Sequence, residues 1–416
     1  MFNKIQEKID MKKEELHLFI IWEKARHLES QILEKIESNF EILQIYDISW
    51  SPYLVGFNYT RFYGQKLPKN SHKAKHCGSG EFKLILVCDN TPVYGNRLRY
   101  KKEVFVNTKM FDLKLELRAL TGGGHRIHGT DNVSEVKHDL MLLLGITVDN
   151  FIKNYSERVN DIKINRDLSG TNGWKSFQEL FNTLNECQEY VVLRNQENLY
   201  EDYYMANKGD VDILVKNKTE ASYILGDLNG IEENSQHLEV AINNKIVLFE
   251  VYQYGSIFFQ KFESDMFVNK VKTNEVWHLN KEMEKIAYIY HALLFNSKVK
   301  LKHIANLKKN FHLFDNDQMK LEENLIQLMV DYFKKNDYKF IPPNDGYFNF
   351  RPEIKGLITR NPNRSLTVSR IAKKILDVEL KHNEVNIVMF KIAKKIFFMK
   401  IKIPYLFLIK FYIGGK

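Results

Sequence analysis

Between residues 190 and 335 the hydrophobic period changes once, and that change limits the architectures open to the chain. Four short apolar runs come first, at residues 190–193, 211–215, 237–242 and 246–252. They are too short for helices and rich in β-branched and aromatic residues, which predicts strands. Three longer stretches follow at 281–294, 301–311 and 320–335, with apolar residues at steps of three and four, so these read as helices. Strands first and helices afterwards predict an α+β domain rather than a doubly wound sheet. Upstream, residues 42–48 and 82–88 read as buried strands. Leu16, Phe19, Ile20, Ala25, Leu28, Ile32 and Ile36 suggest one helix over 2–39. Residues 107–120 and 134–144 read as helices, the first ending at Gly122-Gly123-Gly124 and the second at Gly145. An amphipathic helix is expected at 174–184.

At 416 residues the chain is too long for one ordinary core. The polar, weakly periodic stretch 155–173 is the expected linker. It divides an N-terminal α+β domain (1–154) from a second domain (174–345), with a helical region at 346–416. Hydrophobic residues at 44% and charged residues at 27% exclude a largely disordered chain. The net charge of +9 favours anionic partners. Cys77, Cys88 and Cys187 cannot all pair, which argues against a disulfide framework and fits a reducing, cytoplasmic setting. The charged first residues carry no secretory signal, and no apolar window is long enough for a spanning helix. Residues 391–416 hold seven Lys, no acid and many large apolar side chains. This basic amphipathic tail is expected to dock on an anionic membrane surface, placing the protein peripherally on the inner membrane face. No zinc-finger or RNA-recognition pattern is visible, so nucleic acid is not an expected partner.

Two constellations carry chemistry. In Gly209-Asp210-Val211-Asp212 the two acids alternate on a strand opening and face one way. Glu250 stands inside the apolar run Val247-Leu248-Phe249-Glu250-Val251, where an acid is costly unless paired or metal-bound. Asp210, Asp212 and Glu250 are therefore the expected metal ligands and catalytic acids, with Mg²⁺ as the hard, phosphate-compatible cation. Because the acids repel one another, replacing either Asp is expected to leave stability intact. Arg194, close before them, is expected to grip a phosphate. The second constellation is Gly122-Gly123-Gly124-His125-Arg126-Ile127-His128-Gly129-Thr130-Asp131, with His138-Asp139 following. Glycine amides, Arg126, His125, Thr130, His138 and Asp139 are expected to hold substrate, and His128 and Asp131 to act in catalysis.

The second domain resembles the nucleotidyltransferase superfamily in residues 190 to about 301. The likeness rests on Tyr190-Val191-Val192-Leu193-Arg194-Asn195, the Asp-x-Asp strand, Glu250 and the later helix around Tyr290-His291-Ala292-Leu293. The Gly-Ser turn usual before the Asp-x-Asp strand is missing; Arg194-Asn195 stands there. Over most of its length the chain also resembles bacterial glycan phosphoribosyltransferases of capsule and O-antigen assembly. The carrying motifs are Trp22-Glu23-Lys24-Ala25-Arg26, Arg61-Phe62-Tyr63-Gly64, Lys75-His76-Cys77-Gly78, Phe111-Asp112-Leu113-Lys114, the glycine-histidine loop, His138-Asp139-Leu140, Gly173-Trp174 and Pro343-Asn344-Asp345. That resemblance implies transfer of phosphoribose from phosphoribosyl pyrophosphate to a lipid-linked or soluble glycan acceptor. The alternatives are transfer from a nucleoside triphosphate or nucleotide sugar, and a non-catalytic membrane- or nucleic-acid-binding module.

Overall fold

The computed structural model of the chain describes residues 14–67, 71–99, 101–160, 162–194, 199, 210–226, 237–256, 260–294, 299–311 and 318–339. The first half comprises β1 (Glu15–Ile21), a 3-10 turn (Glu23–Leu28), α1 (Glu29–Glu37), β2 (Glu41–Ser49), α2 (Val55–Phe62), α3 (His72–Cys77), β3 (Phe82–Asp89), the hairpin of β4 (Tyr94–Arg99) and β5 (Lys102–Asn107), α4 (Thr108–Leu120), β6 (Ile127–Gly129), α5 (Val133–Leu144), α6 (Val148–Asn154) and β7 (Ile162–Asn165). The second half runs through α7 (Phe177–Cys187), β8 (Tyr190–Val192), β9 (Asp210–Val215), α8 (Lys218–Leu225), β10 (His237–Ile242), β11 (Lys245–Gln253), α9 (Gln260–Val268), β12 (Val271–Thr273), β13 (Val276–His278), α10 (Lys281–Leu294), α11 (Leu301–Phe311) and α12 (Gln318–Lys335). The protein is a mixed α+β structure built on two main sheets.

The first sheet has the order β6-β1-β3-β2-β7, antiparallel except where β7 runs parallel to β2. Helices cover both faces. Phe19, Ile21, Ile85 and Val87 pack with residues of α1 and α4, while Leu18, Ile20, Leu84 and Leu86 pack with residues of α2 and α5. The second sheet has the order β10-β11-β9-β8-β13-β12. Val211, Ile213, Phe249 and Val251 face α7 and α8, and Val191, Leu214 and Tyr252 join the core of α9 to α12.

Local chemistry sets the element ends. Asn132, Ser176 and Asn217 each accept the N–H of the residue three positions on, capping α5, α7 and α8. Gly145 and Gly226 end α5 and α8 in the left-handed conformation. Asn243 and Asn244, both at positive φ, turn β10 into β11.

Two expectations are corrected. Residues 15–37 do not form one helix: β1, a 3-10 turn and α1 replace it. The buried strand Leu16–Ile21 meets apolar partners on both faces, so the alternation that marks a strand is erased. Residues 2–13 of that expected helix lie outside the described residues.

Nor is 155–173 a loose linker. β7 is part of the first sheet, and the residues after it form a hydrogen-bonded seam. The Asp167 carboxylate accepts from the Ser51 N–H (3.0 Å), the Ser51 hydroxyl (2.7 Å) and the Asn58 amide (2.6 Å). Arg61 on α2, fully buried, donates to the carbonyls of Tyr223 (3.0 Å) and Ile224 (2.7 Å) at the end of α8 and to the Thr171 hydroxyl (2.6 Å). Trp174 Nε1 donates to the Leu225 carbonyl at 2.9 Å. The C-terminal end of a helix carries partial negative charge, so a guanidinium is a fitting cap. Helix α2 thus meets α8, and α5 meets α7.

Candidate functional site

Asp210 and Asp212 alternate along β9, and β11 runs parallel beside it with Glu250 opposite Asp212 and Leu248 opposite Asp210. Period-two geometry sends all three carboxylates to one face. Their oxygens gather within 4.8 Å of one another, and together they can hold a metal ion. This is the arrangement expected of the two segments in sequence, except for Gly209, which lies outside the described residues.

The electrostatics fit a cation. Burial pushes the Glu250 carboxyl up to about 7, with Asp212 and Asp210 adding to it against a hydrogen bond from Tyr252. Three hard oxygen donors with excess negative charge suit a divalent ion such as Mg²⁺ or Mn²⁺ better than a soft metal. Tyr252 and Lys218 complete the surroundings; Glu250 draws the Lys218 ammonium electrostatically. Tyr252 was legible in principle, lying two residues past Glu250 on the same strand face. Nothing in the sequence points to Lys218.

Arg194 differs from expectation. Its guanidinium forks Asp212, Nε to Oδ2 at 3.1 Å and Nη2 to Oδ1 at 2.6 Å, and lies 5.9 Å from the Tyr288 ring centroid. In this structure the fork orients a carboxylate rather than standing free for phosphate.

In the first half of the chain the glycine loop is corrected most. Gly122, Gly123 and Gly124 all have φ near +80°, but they follow directly on α4. The N–H groups of Gly122 and Gly123 bond back to Ala119 and Arg118 carbonyls at 3.1 and 2.7 Å. Arg126 Nη1 caps the carbonyls of Gly122 and Gly123 at 3.3 and 2.9 Å. The loop is a helix C-terminus with its carbonyls outward, which disfavours an anion. Gly124 lets the chain pass His76: an added Cβ would stand 2.2 Å from His76 Nδ1. His125 packs against His76, ring centroids 5.8 Å apart, and its imidazole is pushed down to about 4, chiefly by burial and then by Lys73.

Thr130 and Asp131 are also structural. The buried Thr130 hydroxyl bonds His17 Nδ1 at 3.1 Å and accepts the Leu18 N–H at 3.2 Å. Asp131, 1% exposed, is ion-paired with Lys114 and Arg99, so its carboxylate is not poised as a base.

His128, His138 and Asp139 do come together. Buried Asp139 uses one oxygen on each imidazole: Oδ2 lies 2.7 Å from His128 Nε2 and Oδ1 lies 2.8 Å from His138 Nδ1. His128 projects from β6, edge-on to Phe62 at 5.3 Å, while the other two sit on α5. Glu220 from α8 acts on His138 electrostatically, and the Cys187 thiol lies 3.8 Å from the His138 carbonyl. Nothing in the local pattern marks Glu220, because only the packing of the two halves brings α8 to α5. A carboxylate held between two imidazoles orients both rings and can support proton transfer.

Comparison of the chain with protein-family models, curated proteins and solved structures gives no match.

Burial alone would lower His138; its bond to Asp139 outweighs this and holds the imidazole above its ordinary 6.5. Burial alone would raise Asp139; the two imidazoles hold it below 3.8. Asp139 therefore contributes stability that is lost as pH falls through its depressed value. His138 contributes stability that is lost as pH rises through its elevated value. The stability gap between wild type and Asp139→Asn is expected to be widest between pH 3.8 and 6.5 and to narrow on either side. In the variant, the His138 titration followed by NMR should move downward. A His138 value unmoved by the substitution would sink this account.

Proposed function

We propose that this chain is a divalent-metal-dependent transferase of surface-polysaccharide assembly that moves phosphoribose from phosphoribosyl pyrophosphate to a glycan hydroxyl. One observation carries the reading: the strand register that sets Glu250 beside Asp212 and gathers three carboxylates on one face. Such a cluster suits Mg²⁺, and Mg²⁺ suits a pyrophosphate leaving group. The choice of donor and acceptor rests on the motif resemblance. In the reaction the acceptor oxygen attacks the ribose C1, the bond from C1 to the pyrophosphate oxygen breaks, and pyrophosphate departs with the electron pair. The hydroxyl proton passes to a base. When bound, the cation would neutralise charge on the departing pyrophosphate. Asp210, Asp212 and Glu250 would hold it, and Arg194 keeps Asp212 aimed.

A second reading has its own support. An Asp-x-Asp strand with a third acid on the parallel neighbour, followed by helices, also fits a nucleotidyltransferase-like domain. Arg194, in place of the Gly-Ser turn, weighs against a nucleoside triphosphate. Among the described residues no helix is long and apolar enough to cross a membrane. Peripheral docking on the inner membrane face through residues 391–416 is part of the proposal, and that tail lies outside the described residues.

The test is a cation titration followed by a donor panel. Mg²⁺ at about a hundred times its Kd should stabilise the protein by about 2.7 kcal/mol, and Asp210→Asn should abolish the gain. Pyrophosphate release from phosphoribosyl pyrophosphate should then require the cation. Release only from nucleoside triphosphates would favour the second reading. Silence with every donor would leave a non-catalytic binding module.

A further inference from the structure

A cleft of about 650 Å³ opens where the two halves meet, away from the acidic triad. It lies past the carboxyl ends of the parallel pair β2 and β7 and before α7. Clefts of this size at such junctions are common ligand sites. Its frame is internally satisfied and so rigid. Asp167 is held by Ser51 and Asn58, Arg166 donates to the Leu144 carbonyl at 2.6 Å, and Glu179 accepts the Lys175 N–H at 2.6 Å. The rim is different. The side chains of Ser49, Asn165, Asn172 and Lys175 line the cleft and have no partner among the described residues.

The chemistry of that rim selects a ligand class. Arg166 and Lys175 are balanced by Asp167 and Glu179, so the cleft has no excess charge with which to hold a phosphate or pyrophosphate. Two amides and a hydroxyl offer donors and acceptors in similar number, which matches a run of sugar hydroxyls.

We infer that this cleft binds a neutral saccharide segment, at a site separate from the acidic triad, which lies on the other face of the second sheet. Saccharide binding here does not depend on the transfer proposed above. The wild-type chain is screened against an array of neutral oligosaccharides, and the best binder is taken to calorimetry. Asn165→Ala/Asn172→Ala should weaken that saccharide about tenfold or more, since two hydrogen bonds are removed. Melting temperature should hold, because neither amide has an internal partner to lose. Cation-dependent pyrophosphate release from donor in water should also hold, since the triad is untouched. Absence of binding to every neutral saccharide overturns the inference. So does undiminished affinity in the double variant, or binding confined to acidic glycans. If saccharide binds but no donor is cleaved, the cleft survives and the transferase reading fails.

Discussion

Asp210→Asn and Asp212→Asn should each lower donor turnover about a hundredfold or more, the scale of a lost electrostatic stabiliser. Their effects on folding should part company. Asp210 has no Arg or Lys salt-bridge partner among the described residues, so removing its charge only relieves repulsion within the triad. Asp212 is 3% exposed and holds both ends of the Arg194 fork. Asp212→Asn leaves that guanidinium, its side chain 11% exposed, without its carboxylate. Loss of one partner of a buried ion pair costs about 3–5 kcal/mol. The sequence alone implied that neither substitution would destabilise; Arg194 overturns that for one of the two. Turnover near normal in both variants would end the case for the triad. Equal urea midpoints for Asp210→Asn and Asp212→Asn would end the case for the Arg194 pairing.

The second large effect belongs to Arg61. Arg61→Ala removes three hydrogen bonds, strands the Tyr223 and Ile224 carbonyls and opens a void beside Trp174, whose ring centroid lies 5.8 Å from the guanidinium carbon. A loss of about 3–5 kcal/mol is expected for a buried, fully bonded charged group. Arg61→Lys keeps charge but not the planar fork, so it should recover only part of that. Since Arg61 ties α2 to α8, unfolding of the Ala variant should split into two transitions, one for each half. A single transition at the wild-type midpoint would show that the clamp contributes nothing.

Much of the second half was legible because its patterns are clean. His237–Ile242 alternates exposed and buried residues, and Lys281–Leu294 repeats its apolar residues at helical steps. The acidic triad was legible for a related reason: acids in apolar strands stand out, and only the pairing of β9 with β11 had to be supplied. Where sequence failed, local pattern and tertiary use diverge. Leu16–Ile21 is apolar on both faces and so lost its period. The hairpin Tyr94–Asn107 is crowded with Arg and Lys and turns through Lys101 at positive φ, with no Gly to announce it. Gly122-Gly123-Gly124 looked like an anion cradle because glycine reports conformational freedom and not direction. The preceding helix decides direction, and it turns carbonyls outward. Glu220 acts on His138 from 82 residues away, and Arg61 bonds residues 110 to 163 positions away, beyond reach of any local pattern.

The pairing of β11 with β9 also bears on how the chain reaches its native state. A slip of one residue in a strand exchanges its two faces. Here it would turn Asp212 or Glu250 toward the layer of Phe249, Val251, Val211 and Ile213, where α7 and α8 leave no water to receive a carboxylate. Misaligned pairings of these strands are therefore strongly penalised, and the same three acids that equip the other face act as a proofreading device during assembly of the sheet.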